Sequence, residues 1–82
     1  MKYVYLLQSI TQPTKRYIGI TENFQKRLGE HNSRKSNYTS KYYPWKVVVV
    51  IRFDDDTRAS EFEKHLKSDS GHAFAKRHFW PK

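Results

Sequence analysis

Cysteine is absent from this 82-residue chain, which excludes several classes of site at once. Without a thiol there is no disulfide framework, no cysteine nucleophile and no thiolate zinc site, so we expect a reducing compartment. The apolar run near the N-terminus covers only residues 3–7. A signal peptide needs at least about seven apolar residues and a membrane helix about twenty. We therefore expect a cytoplasmic protein without a membrane segment.

Acidic residues are scarce, since eight aspartates and glutamates accompany 16 lysines and arginines and the formal net charge is +8. Residues 1–53 hold ten of the basic residues and two acids, whereas residues 54–82 hold six of each. Phosphate polymers are the partners that such a field attracts, because each neutralised phosphate releases condensed counterions. The composition therefore favours a nucleic-acid partner over a merely well-solvated basic surface.

The short length leaves room for one domain, which we place at residues 1–82. A chain of this size forms a single core, and no second core is available to build an interdomain cleft. An active site would therefore lie on an open surface. We also expect no appended recognition domain, so sequence specificity would be weak or supplied by a partner protein.

Three segments rich in β-branched and aromatic residues, 3–7, 16–20 and 46–53, predict strands. A polar stretch containing Pro13 separates the first two. The third segment has an unbroken apolar core, which is typical of a strand buried on both faces. We expect it at the centre of the sheet.

Helices are predicted in two long segments and one short one. Thr21 is suited to cap a helix over residues 22–31, with the acidic Glu22 in its first turn. A second helix is expected from residue 56 or 57 to about residue 67. Ser70 and Gly71 then indicate a break before a short helix over residues 73–80.

The helical spacing predicts that two charged side chains, those of Arg27 and Glu63, point towards the interior. Arg27 and His31 share the apolar stripe of the first helix, and Glu63 lies beside the apolar stripe of the second, while Glu61 faces water. Charged residues seldom turn inward without a partner or a task. One interpretation is that Arg27 and Glu63 pair with each other. The tyrosines clustered near the N-terminus favour a functional role instead.

Two tripeptides carry a resemblance to a known family. Tyr3-Val4-Tyr5 and Tyr17-Ile18-Gly19 resemble the paired tripeptides of the GIY-YIG nucleases, whose domain also occurs in the repair incision protein UvrC. Residues 25–32 resemble the arginine helix of that family and residues 60–68 its glutamate helix. The tail at residues 70–77 resembles small stand-alone bacterial members. The resemblance covers nearly the whole chain.

The chain departs from the family pattern at three places. Tyr3 replaces the glycine of the first tripeptide, although the tyrosine that matters is kept as Tyr5. Ile20 stands at the position expected for a lysine that often follows the second tripeptide. The asparagine that often follows the glutamate helix has no clear match, and Ser68 and Ser70 occupy that region.

The resemblance implies an α+β fold, with a small three-stranded antiparallel sheet flanked by two to three helices. It also implies a DNA endonuclease dependent on Mg²⁺ or Mn²⁺, acting in DNA repair, recombination or processing and leaving a 5′ phosphate and a 3′ hydroxyl. The catalytic residues that it implies are Tyr5, Tyr17, Arg27, His31 and Glu63.

The chemistry of these side chains suits phosphodiester hydrolysis. The planar fork of Arg27 matches two phosphate oxygens, and Glu63 with substrate oxygens and waters is a normal shell for Mg²⁺. Because no second carboxylate is well placed, we predict a one-metal mechanism. The resemblance gives Tyr17 the role of base or water-positioning group, with Tyr5 as its hydrogen-bond neighbour.

Two supporting interactions are expected around these groups. Arg27 and Arg16 would favour the phenolate of a nearby tyrosine. His31 lies one helical turn after Arg27, so it would donate to the same phosphate or carry a proton. The alternative for His31 is a partly buried helix histidine, and the alternative for Tyr5 is simple packing in the sheet.

A basic loop with interleaved aromatics, residues 32–45, suits phosphate contacts and base stacking. We predict DNA-binding roles for Arg34, Lys35 and Lys41 in this loop and for Arg16 on the second strand. Trp45 is expected to anchor the loop on the sheet. The acidic run at residues 54–56 is better explained by helix capping than by metal binding. The other histidines, at positions 65, 72 and 78, are expected at the surface.

Two other functions remain open at this point. A non-catalytic nucleic-acid-binding module would keep the same basic face without cutting. A small interaction domain would use its aromatic residues to bind protein, and its DNA affinity would be indifferent to salt.

Overall fold

The fold is seen in a computed structural model that describes residues 1–33 and 37–81. An α+β arrangement of three strands and four helices accounts for the described residues, and it confirms the predicted fold class. None of these helices combines the length and the apolar character needed to cross a membrane. In chain order the elements are β1 (Lys2–Ser9), β2 (Arg16–Thr21), α1 (Phe24–Asn32), α2 (Asn37–Ser40), β3 (Trp45–Phe53), α3 (Asp56–Leu66) and α4 (Asp69–His78).

The sheet is antiparallel with strand order β2-β1-β3, so the prediction that β3 is central was wrong. β1 is the central strand and is buried from Val4 to Ser9. The register between β1 and β3 shifts between Leu6 and Leu7, which pair with Val49 and Val47. This irregularity interrupts the normal alternation of faces. Consecutive residues Val48 and Val49 can therefore both pack against the same core, while Val47 and Val50 are exposed at this edge strand.

Helices cover both faces of the sheet, and each face has its own core. On one face, Val4 and Leu6 of β1 pack with residues of α3 and α4. On the other face, Tyr5 and Leu7 pack with Trp45 and with residues of α1. The odd and even positions of β1 are thus buried by different layers, as the period of two in a strand requires.

The first helix begins two residues later than predicted. Asn23, not Thr21, is the N-cap, and its side chain accepts a hydrogen bond from the Lys26 amide at 3.1 Å. The Thr21 hydroxyl instead accepts from the Asn23 amide at 3.2 Å. Glu22 therefore precedes the helix. Thr21 supports the cap rather than forming it, because it is still the last residue of β2.

The third helix begins as predicted, and the acidic run before it serves structure. The Asp55 side chain caps α3 by accepting from the amides of Thr57 and Arg58. Asp54 pairs with a strand arginine at 2.7 Å, and Asp56 pairs with the N-terminal ammonium at 2.8 Å. That ammonium lowers the pKa of the Asp56 carboxyl through hydrogen bonding. The capping and solvation interpretation is confirmed.

The last helix begins four residues earlier than predicted. Ser68 caps α4 by accepting from the Gly71 amide, and Gly71 lies inside the helix instead of breaking it. A Cβ at Gly71 would collide with the backbone carbonyl of His65. A glycine is required here because the backbones of α3 and α4 approach too closely to leave room for a side chain. The local sequence does not distinguish such a glycine from one that ends a helix.

Candidate active site

The two tyrosines of the paired tripeptides lie side by side on one face of the sheet. Tyr5 pairs with Gly19 across the β1–β2 ladder, and Tyr17 lies two residues before Gly19 on the same face. The ring centroids of Tyr5 and Tyr17 are 6.1 Å apart. A Cβ at Gly19 would collide with the Tyr5 phenol and lie 2.9 Å from the Tyr17 ring. Gly19 therefore provides the space in which both rings fit.

Helix α1 brings two more predicted residues over these rings. Phe24 packs against Tyr5 with centroids 5.5 Å apart, which fixes the start of the helix on this face. One helical turn separates Arg27 from His31. The His31 ring lies 4.7 Å from the Tyr17 ring and 5.8 Å from the Tyr5 ring. Tyr5, Tyr17, Arg27 and His31 form what we call the tyrosine–arginine cluster.

His31 is completely buried, and both of its ring nitrogens are engaged. Nε2 is 3.0 Å from the Tyr5 hydroxyl, and Nδ1 is 2.9 Å from the Thr39 hydroxyl. Burial, with a further effect from Arg27, lowers the His31 pKa to about 4, so the ring is neutral near pH 7. The prediction that His31 contacts the phosphate itself is not met, because no face of the ring reaches solvent.

The Tyr5 phenol is neutral for the same reason. Burial raises its pKa to about 12, and the lowering effect of the nearby Arg27 guanidinium is too small to offset this. The expectation that cations favour a phenolate therefore fails at Tyr5. Arg16 does not contribute there either, because its guanidinium lies over the Trp80 ring, 4.8 Å from the centroid.

Arg27 is held in place by a neighbour on its own helix. Its Nη1 donates to Glu30 Oε1 at 3.1 Å, and this contact raises the already high pKa of the guanidinium. The neighbouring hydroxyls of Tyr5 and Tyr17 raise its pKa further. The side chain keeps 36% of its exposure. Arg27 is therefore permanently charged, oriented by its neighbours and still open to a ligand.

Glu63 lies on the other side of the sheet from the tyrosine–arginine cluster. It lies on α3, its side chain is 14% exposed, and its carboxylate pairs with Lys67 one turn later. The prediction that Glu63 leans on the core while Glu61 faces water is met. The alternative in which Arg27 pairs with Glu63 is wrong, because each has a partner on its own helix.

A cavity of about 500 Å³ at the open edge of β2 connects the two sides. We call it the β2-edge cavity. Tyr17 lines it from the α1 face, and Ile18 lines it from the α3 face. Lys67, the partner of Glu63, also lines it. Because β2 is an edge strand, groups from both layers can approach a ligand around its rim.

The carboxylate of Glu63 is the candidate metal ligand. Among the described residues, no three His, Cys, Asp or Glu side chains lie together as a metal site. Glu63 is a hard oxygen donor that already holds one cation, the Lys67 ammonium. Mg²⁺ is commonly held by one or two carboxylates together with substrate phosphates and waters. The donor set therefore fits a magnesium ion, with Lys67 as the group that it would displace.

The predicted DNA-binding residues have different outcomes. Arg16 lines the β2-edge cavity, and Lys41 is exposed after α2. Arg34 and Lys35 lie outside the described residues. Trp45 anchors the loop as predicted, because it is buried and its Nε1 donates to the Thr39 carbonyl at 2.8 Å.

The remaining histidines, at positions 65, 72 and 78, are exposed as predicted.

Thr39 is the site residue that sequence reasoning missed. It lies on the short helix α2, is fully buried, and contacts His31 through its side chain. Its backbone carbonyl also receives the Trp45 indole N–H. The polar composition of the loop predicted solvent contacts for this segment. The only available signal was the nearby Trp45, whose buried N–H needs an acceptor.

Comparisons with known proteins show which family model and which solved structure the chain resembles. A family model described as the GIY-YIG catalytic domain matches residues 1–77. The structure also resembles the solution structure of the UPF0213 protein BH0048 from Bacillus halodurans. That likeness has a TM-score of 0.57 and 26% sequence identity, and it covers 99% of this chain and 89% of the other.

Curated relatives fall into two kinds. A structure-specific endonuclease subunit SLX1 from Debaryomyces hansenii is 37% identical over 82 residues, which is 92% of this chain but 22% of that protein. A UPF0213 protein from Lactococcus lactis subsp. cremoris is 35% identical over 66 residues, covering 79% of this chain and 65% of that protein. A UPF0213 protein from Natronomonas pharaonis is 33% identical, covering 80% and 76% respectively.

Proposed function

Because the chain belongs to the GIY-YIG family of nucleases, we propose that it is a metal-dependent endonuclease that hydrolyses DNA phosphodiester bonds. The family membership supports the predicted enzyme class, a GIY-YIG-type endonuclease. The observation that carries the proposal is the position of Tyr17. Tyr17 belongs to the tyrosine–arginine cluster, where it contacts the His31 ring, and it also lines the cavity to which the Glu63 helix contributes Leu66.

Arg27 is the group that binds the scissile phosphate. Its charge is independent of pH in the useful range, and Glu30, Tyr5 and Tyr17 restrict its orientation. A preorganised guanidinium stabilises the charge that develops on the phosphoryl oxygens without reorganising during the reaction. Its fork also offers two donors to two oxygens.

Tyr17 orients the attacking water, and the buried groups behind it orient Tyr17. The Tyr5 oxygen interacts with Arg27, so we assign its hydroxyl proton to the bond with His31 Nε2. Neutral His31 then donates from Nδ1 to the Thr39 hydroxyl. His31 and Thr39 are thus positioning residues. Only Tyr17 of the two strand tyrosines reaches the cavity.

Glu63 is the residue that would hold Mg²⁺ or Mn²⁺. Once bound there, the ion would neutralise charge on the scissile phosphate and favour departure of the leaving oxygen. In the balanced reaction, the water oxygen bonds to phosphorus and the bond from phosphorus to the 3′ oxygen breaks. One proton of the water passes to a base, and the 3′ oxygen takes up a proton. The products carry a 5′ phosphate and a 3′ hydroxyl.

The biological process and the partners are also part of the proposal. The chain spans about a quarter of the length of the SLX1 relatives that it matches. Those relatives are structure-specific endonuclease subunits by name. On the strength of these names, the proposed role is in DNA repair, recombination or processing, with specificity supplied by a partner protein.

A matched pair of glutamate variants tests the proposal. We expect Glu63→Gln to reduce cleavage of DNA in Mg²⁺ by at least about 100-fold, because a ligand that stabilises transition-state charge is lost, while DNA binding remains. Glu61→Gln removes the same charge from the exposed side of the same helix and should leave cleavage unchanged. Cleavage rates and binding constants for both variants provide the measurement.

The competing function makes a different prediction for the same proteins. A non-catalytic binding module would bind DNA in a salt-dependent manner but would cut no DNA form in Mg²⁺ or Mn²⁺. Equal cleavage by the Glu63→Gln and Glu61→Gln variants would show that Glu63 has no role in cleavage.

A further inference from the structure

The β2-edge cavity has a shape and lining that the hydrolysis of a phosphodiester does not by itself require. We propose that it binds one unpaired nucleotide next to the scissile phosphate, so that the substrates are DNA molecules with a flapped, bulged or otherwise unpaired nucleotide at the cut. This inference rests on the proposed nuclease function, because it places the nucleotide relative to Tyr17.

The size of the cavity is the first argument. Its volume of about 500 Å³ lies within the roughly 300–1,000 Å³ typical of pockets that enclose small molecules. A paired duplex presents a convex phosphate backbone and keeps its bases stacked inside. To fill a concave site, a base must leave the stack, and this costs least when the base is already unpaired. An unpaired nucleotide therefore enters this cavity more readily than a duplex does.

The walls supply surfaces for a base. Trp80 with the Arg16 guanidinium over its ring forms one wall, and Tyr38 with Tyr17 provides another, with ring centroids 6.2 Å apart. Tyr38 is 45% exposed although its ring is large and apolar. Aromatic and guanidinium faces stack on any base, because every base has a π-face. The lining thus favours a base without selecting a sequence.

The rim supplies surfaces for phosphate. Lys67 and Lys76 line the cavity from α3 and α4, together with Arg16 from β2. Among the described residues that line it, none is acidic. A positively charged groove with aromatic walls is the combination by which proteins hold single-stranded nucleic acid. The occupant is therefore an anion that carries an aromatic base.

The cavity shares Tyr17 with the proposed catalytic site, which sets the position of the nucleotide. Tyr17 is part of its lining, is also in contact with the His31 ring, and interacts electrostatically with Arg27. A nucleotide in the cavity therefore places its own phosphate, or the adjacent one, within reach of Arg27. Cleavage is expected at or next to the unpaired nucleotide.

Binding measurements with the Glu63→Gln protein in Mg²⁺ buffer test the inference separately from cleavage. The probes are a fully paired duplex, the same duplex with one unpaired nucleotide, and that duplex with an abasic residue at the unpaired position. We expect the unpaired nucleotide to tighten binding by about tenfold, the order of one base–aromatic stacking contact. The abasic probe should lose most of this gain. Equal affinity for all three probes would overturn the inference.

Two neighbouring cations on α4 provide matched variants in the Glu63→Gln background. Lys76 lines the cavity and Arg77 does not, although both are exposed. We expect Lys76→Ala to reduce the preference for the unpaired probe at least threefold. Arg77→Ala should leave the ratio unchanged. A loss of preference in the Arg77→Ala protein equal to that in the Lys76→Ala protein would contradict the assignment.

Two further outcomes separate this inference from its premise. If the wild-type protein cuts no DNA but its preference for the unpaired probe depends on Lys76, the cavity assignment stands and the nuclease proposal fails. If the protein cuts paired and unpaired probes at the same rate, the nuclease proposal stands and the cavity assignment fails. A dimer that Lys76→Glu dissociates would place a second copy of the chain in the cavity and would also overturn the assignment.

Discussion

The two faces of the sheet are buried by side chains of opposite chemistry. The face under α3 and α4 is aliphatic at its centre, whereas the face under α1 and α2 is built from hydrogen-bonded aromatic and polar side chains. The aliphatic face contains Val4, Leu6, Ala59, Leu66 and Ala75. The polar face contains Tyr5, His31, Thr39 and Trp45.

Because of this difference, the aliphatic face mainly stabilises the fold, whereas the polar face fixes the geometry of the candidate site. Apolar packing is non-directional, so the aliphatic face tolerates small changes in geometry. The polar face is directional, because a buried donor or acceptor without a partner carries a desolvation penalty. Over the described ranges 1–33 and 37–81, every buried side-chain polar atom of that kind has a partner. The hydrogen-bond chain through His31 therefore specifies one arrangement of the Tyr5 and His31 rings.

The largest expected effect comes from the aliphatic face. Leu6→Ala removes a fully buried side chain from β1, and we expect the free energy of unfolding to fall by about 2–5 kcal/mol. Small domains have only about 5–15 kcal/mol in total. Urea unfolding measures the loss. The activity per folded molecule should change little, because Leu6 points away from the tyrosine–arginine cluster.

A valine on the neighbouring strand is the control for that substitution. Val50 pairs with Tyr5 on β3 but is 40% exposed, so Val50→Ala should cost well under the loss at Leu6. Equal losses for the two variants would mean that the aliphatic core is not centred where the structure places it.

The next expected effect comes from Gly19, which lies against the rings of Tyr5 and Tyr17. We expect Gly19→Ala to reduce the free energy of unfolding by about 1–3 kcal/mol, as overpacking does, and to reduce cleavage strongly, because the new methyl group collides with the Tyr5 phenol. Thermal unfolding and cleavage rates measure the two effects.

A second glycine offers the same substitution without the collision. Nothing lies within 4 Å of a Cβ at Gly29, which is on the exposed side of α1. Gly29→Ala should stabilise the protein by about 0.5–1 kcal/mol, since alanine is the better helix former. If both glycine variants behave alike, the close approach at Gly19 is not what that tripeptide provides.

A pH titration probes the buried histidine. The His31 pKa is about 4 in the folded protein and near 6.5 when unperturbed, so the unfolded chain binds more protons between these values. Stability from this group is therefore complete above about pH 6.5 and is lost as the pH falls towards 4. Urea unfolding between pH 7 and 5, above most carboxyl titrations, measures the slope.

An exposed histidine is the control for the pH experiment. His78→Gln should keep the slope, because His78 is exposed at the end of α4. His31→Gln should flatten it. A slope that survives in the His31→Gln protein would assign the pH dependence to other groups.

The fold could be predicted wherever the hydrophobic periodicity of a segment reflects the position of that segment in the fold. Strand segments, the start of α3 and the inward tilt of Glu63 all follow from periodicity. The centre of the sheet was not predictable in this way, because the four valines of β3 resemble a buried strand and an irregularity in pairing accounts for their pattern. Gly71 was mistaken for a break because only the neighbouring helix shows why it is a glycine.

The sequence predicted which residues belong to the candidate site, but it did not predict how they are arranged in space. Tripeptides and helical spacing identified the members of the tyrosine–arginine cluster. They could not show that burial keeps Tyr5 and His31 neutral, because burial depends on contacts between distant segments. They also could not place Glu63 on the side of the sheet opposite the tyrosine–arginine cluster, where its partner Lys67 lines the β2-edge cavity together with Tyr17.

Substitutions of Thr39 test its positioning role. Thr39→Val preserves the shape of the side chain but removes the acceptor of the His31 Nδ1 proton, and the backbone carbonyl that holds Trp45 is untouched. We expect a loss of about 1–2 kcal/mol from the unpaired donor. We also expect slower cleavage, because His31 no longer has one preferred tautomer with which to orient Tyr5. Nitrogen NMR of the ring reports the tautomer directly. Thr39→Ser keeps the hydroxyl and should restore both the tautomer and the rate, so valine and serine variants with the same ring spectrum would show that Thr39 contributes packing alone.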